Sequence, residues 1–135
     1  MAVSLAQSCA AALQLIMVVH TVGTLSGQRA ATARLLPGTT LALLELKEQQ
    51  AIAYLQPHLA QLQAAGLTAA ALVSRGEPAK VIIQTARQAQ ADLIVLGTHG
   101  KTSLDAFWAG SITPKVANQP HVPLLLVPVG AAAAN

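Results

Sequence analysis

The sequence predicts an α/β fold, an open sheet of parallel strands with helices on both faces. Three observations point there. Short apolar runs such as Leu93–Leu96 and Val122–Val127 read as strands, the first of them buried. Longer stretches carry apolar residues three or four apart and read as helices. The two kinds alternate along 135 residues, a length that suits one domain and is short for two. Residues 1–130 are expected to form that domain, with 131–135 a flexible tail.

Residues 2–13 are rich in Ala and Leu and read as helix. Leu15–Val19 follows as a buried strand ending at His20, and Gly23–Gly38 as one long irregular connection. From Leu41 to Ala65 the helical period is plain in Leu41, Leu44, Ile52, Leu55, Leu59 and Leu62, with Gly66 as its stop. Pro57 lies inside that span and predicts a kink near the freed carbonyl of Ala53. Leu67–Ser74 is a strand. Gly76 and Pro78 announce the next helix, whose inner face holds Val81, Ile82, Ala86 and Ala89. After the strand Leu93–Leu96 and the segment 97–110, Ser111–Asn118 reads as a short helix and Val122–Val127 as the last strand.

Composition excludes several classes of function. Hydrophobic residues make up 53% and charged residues 10%, so disorder is excluded for most of the length. The net charge of +3 comes from scattered basic residues, and Tyr54, Phe107 and Trp108 are the only aromatics. Nucleic-acid binding, which wants a basic stripe or stacking platforms, is not expected. Cys9 is the single cysteine and is read as a small packed hydrophobe, consistent with a cytoplasmic, reducing setting. The four histidines have no metal-ligand spacing. Met1–Gln28 is free of charge, but it lacks the basic start of a leader, and Gln7, Ser8, Gln14 and His20 interrupt it as a membrane span. It is read as a helix running into a buried strand, with no membrane partner.

The chemistry is concentrated in the run from Val95 to Ile112. Gly97 and Gly100 come directly after a buried strand, where parallel sheets bind ligands and where glycine lets a ligand approach the backbone. Gly110 and Ser111 open a helix whose first N–H groups suit phosphate. Gly100-Lys101-Thr102 imitates a P-loop, but that motif needs four residues between its glycines and here there are two. Catalytic machinery is thin: Glu45 and Glu48 read as a solvated helix face, and no nucleophile elbow is present.

The spacing Gly97-x2-Gly100-x9-Gly110-Ser111 resembles the nucleotide-binding signature of the universal stress protein family. Three glycines at fixed offsets arise by chance at roughly 3 in 10,000 starting points when glycine is about 7% of residues. The resemblance extends to the G-E-P start of the helix at Pro78, the MVVH end of the early strand and the final VPLLLVPV strand. It implies the universal stress protein, adenine nucleotide alpha hydrolase-like fold. It also implies ATP, with or without Mg2+, held by Gly97, Gly100, Gly110, Ser111 and the adjoining Ile112, with Thr21 at the adenine and His99 and Lys101 within reach of phosphate. Members begin with a strand ending in an Asp that recognises the nucleotide, central in the order 3-2-1-4-5. These residues start inside what would be the first helix, so that strand and its Asp are expected to be missing.

Three functions follow from the resemblance. The first is an ATP-binding regulatory module with little or no hydrolysis. The second is a dimeric interaction protein that binds no nucleotide and pairs through Val122–Val127. The third, ranked last, is a slow ATP hydrolase. His20 and His58 read as a satisfied core residue and a surface residue, and Phe107 and Trp108 as anchors of the glycine loop.

Overall fold

The computed structural model describes residues 1–25, 27–99, 112–119 and 122–129. They form two compact units, Met1–Val81 and Ile82–Asn135.

In the first unit, α1 (Ala2–Cys9) leads into β1 (Leu13–Val19), so the charge-free N-terminal stretch is a helix followed by a strand. The end of α1 is a left-handed residue, Ala10 at φ 52°, with the Ala11 N–H bonded back to the Ala6 carbonyl at 2.9 Å. Cys9 is exposed rather than packed, at the last position of α1. The connection expected to be irregular is largely helical: a 3-10 turn at Val22–Thr24 precedes α2 (Gly27–Leu35). The good helix formers Gln, Arg and Ala dominate α2 and outweigh the flanking glycines.

The long helix α3 (Pro37–Ala64) starts at Pro37, whose missing N–H costs nothing in a first turn. It runs through Pro57 without a break, because Ala53, whose carbonyl Pro57 frees, is exposed to water. Leu44, Ala51 and Leu55 are buried, and half-buried Thr40, Glu48, Leu59 and Leu62 extend the same stripe, which packs on β1 and β2 (Ala69–Arg75). Gly66 closes the helix at φ 82°, the left-handed position where glycine carries no Cβ penalty. β1 and β2 are parallel, in register from Leu13 opposite Ala69 to Val19 opposite Arg75.

The helix α4 (Pro78–Gln88) begins in the first unit. Glu77 caps it, its carboxylate accepting the Lys80 N–H at 3.0 Å. Within the second unit Ile82 and Ala86 are buried, whereas Ala89 lies past the end of the helix and is exposed. β3 (Ile94–His99) and β4 (Leu124–Val129) pair in parallel, from Ile94 opposite Leu124 to His99 opposite Val129, and α5 (Ile112–Ala117) buries Thr113 and Val116.

Among the described residues the strands therefore make two parallel pairs, β1–β2 and β3–β4. Register decides which backbone groups remain open. The Leu13 N–H bonds the Thr68 carbonyl at 2.8 Å and the Val19 carbonyl accepts the Gly76 N–H at 3.0 Å. In a parallel ladder alternate residues face one neighbour. Leu13, Leu15, Met17 and Val19 thus face β2, while Gln14, Ile16 and Val18 turn their N–H and C=O groups to the other side. In β3 the 2.9 Å bond from the Ile94 N–H to the Pro123 carbonyl places Ile94 and Leu96 toward β4, and Val95 and Gly97 away from it. β1, which reads as a buried strand, is partly open, with Met17 36% exposed; Leu72 in β2 and Leu126 in β4 are 39% and 38% exposed.

Candidate functional site

Two polar features stand at the carboxyl ends of strands, the place where parallel sheets bind ligands. The first lies in the Met1–Val81 unit. The chain leaves β1 at His20 and turns through Val22–Thr24, and Thr24 organises that turn. Its hydroxyl accepts the Thr21 N–H at 2.8 Å and the Thr21 hydroxyl at 3.2 Å, and donates to the Thr21 carbonyl at 3.1 Å. The same oxygen is 3.4 Å from His20 Nδ1 and 3.4 Å from the Gly76 carbonyl at the end of β2. One hydroxyl thus ties the ends of both strands together and fixes where Thr21 stands. Thr24 was not singled out from sequence, although the spacing of Thr21 and Thr24 is a capping-box pattern that carries the signal.

Gly76 completes this corner. Its φ is 147°, and a Cβ built there would stand 2.8 Å from Val81 Cγ2. Beside it the Arg75 guanidinium binds the Glu48 carboxylate, with Nε to Oε2 at 2.8 Å and Nη2 to the same oxygen. The hydrogen bond to Glu48, then its charge, raises the Arg75 pKa above its ordinary value. Glu48 is therefore an ion-pair partner and not part of a free solvated face.

The second feature lies in the Ile82–Asn135 unit. Gly97 sits in β3 opposite Val127, exposed, with its N–H and C=O on the side away from β4 and no side chain to cover them. His99 ends β3 opposite Val129. Ile112 is the first residue of α5 and half-buried. Next to it Thr113 is 2% exposed, and its hydroxyl meets no hydrogen-bond partner among the described residues. Gly100, Lys101, Gly110 and Ser111, with Phe107 and Trp108, lie outside the described residues, as does the 131–135 tail.

A shallow dimple of about 10 Å³ opens between Ile83, Arg87, Ile94, Val116, Gln119 and Val122, with Arg87 Nη2 donating to Gln119 Oε1 at 3.0 Å. It is smaller than the roughly 300–1,000 Å³ of small-molecule sites. Among the described residues no cluster of His, Cys, Asp or Glu could hold a metal ion, and no helix is long and apolar enough to cross a membrane.

The universal stress protein family profile matches residues 1–128. The chain belongs to the universal stress protein family. It is 44% identical over 52 residues to universal stress protein MJ0531 of Methanocaldococcus jannaschii, a match covering 38% of this chain and 31% of that protein. It is 42% identical over 57 residues to a Thermus aquaticus universal stress protein, 42% of each chain. The chain thus matches less than half the length of these curated relatives. A solved structure of the hypothetical protein MJ0577 superposes with a TM-score of 0.66 at 21% identity, covering 87% of this chain and 76% of that one. At that identity the likeness speaks for the fold, an α/β arrangement of parallel strands and helices like that of this universal stress protein.

Proposed function

We propose that this universal stress protein is a nucleotide-binding regulatory module that takes ATP at the Gly97–Ser111 loop with little or no hydrolysis. The observation that carries the reading is the backbone of Gly97. It lies near the carboxyl end of β3, presents an N–H and a carbonyl unused by β4, and has no Cβ to bar a ligand. The chain then passes through Gly100, Lys101, Gly110 and Ser111 to α5. The orphan hydroxyl of Thr113 suits a polar neighbour, since buried hydroxyls normally have one.

Bound there, ATP would supply a bulky polyphosphate anion whose occupancy shifts what the surface binds. The chain's own part is to offer backbone donors from the glycine loop, a positive charge at Lys101 and a hydroxyl at Ser111.

The deciding experiment is a calorimetric titration of Mg–ATP into the 135-residue chain, with GTP as control. Saturable, ATP-selective binding that is lost in Gly110→Val/Ser111→Ala is expected; no heat up to millimolar ATP would overturn the proposal. A second reading, a homodimer pairing through Val122–Val127 without nucleotide, draws on β4. Register turns the backbone groups of Leu124 and Leu126 away from β3, and Leu126 is 38% exposed. Pro128 falls on that same side and has no N–H to give, so pairing there would be limited to a short ladder.

A further inference from the structure

We draw no further inference here: the strongest candidate, the side-chain cluster of His20, Thr21 and Thr24 at the carboxyl end of β1, belongs to the site already described, the contacts of its Thr24 hydroxyl closing on His20, Thr21 and the Gly76 carbonyl.

Discussion

Gly76 does at one residue what no other side chain could do there. Its φ of 147° lies where L-residues are strained, and a methyl group would press on the branched side chain of Val81. Its N–H extends the β1–β2 ladder and its carbonyl faces Thr24. Gly76→Ala should cost about 1–3 kcal/mol, measured as a lower denaturant midpoint with an unchanged slope. Equal stability would mean that the corner relaxes freely. The sequence shows this glycine before Glu77 and Pro78 and reads it as helix punctuation. Its closeness to Val81 and Thr24 is invisible there, because Thr24 is far away along the chain and the turn that brings it back is set by a hydroxyl.

At the scale of the element, α3 is the clearest case of periodicity read correctly. Its leucine spacing predicts the buried stripe, and Leu44 and Leu55 occupy it. The start at Pro37 and the helix before it are harder to read, because glycines at 23, 27 and 38 suggest a loop while Ala and Arg between them favour helix. Glu48 looks solvent-facing from sequence because its partner Arg75 lies on a strand. That pair is open to solvent, its Arg75 and Glu48 side chains 49% and 22% accessible, so screening governs it. Arg75→Ala should reduce stability slightly at low ionic strength and hardly at all in molar salt. The sign with pH follows from the raised Arg75 pKa: its contribution is full at neutral and mildly alkaline pH and is lost only as pH rises through that strongly basic value. A melting curve series showing the variant's deficit growing from pH 6 to 9 would contradict this.

For the whole molecule the open question is the sheet, and hydrogen exchange addresses it directly. Along β1 the amides of Leu15, Met17 and Val19 should be protected and those of Ile16 and Val18 should exchange much faster. Along β3, Leu96 should be protected and Val95 and Gly97 open. Uniform protection along β1 would mean that a further strand lies on its open side. The same open groups matter for the proposed nucleotide site, because a ligand at Gly97 should slow that amide selectively.

The sequence by itself determined the α/β class, the order of the elements, the parallel pairing of strands and the family, because apolar spacing and the glycine offsets are local patterns written along the chain. Tertiary structure alone decided how the described strands pair and in what register, that Thr24 holds the turn after β1 close to the end of β2, and that Arg75 neutralises Glu48. Each of these depends on which backbone edge or side-chain face meets which partner across a distance in sequence. That is settled by register and packing, and periodicity shows which residues share a face without saying what lies opposite it.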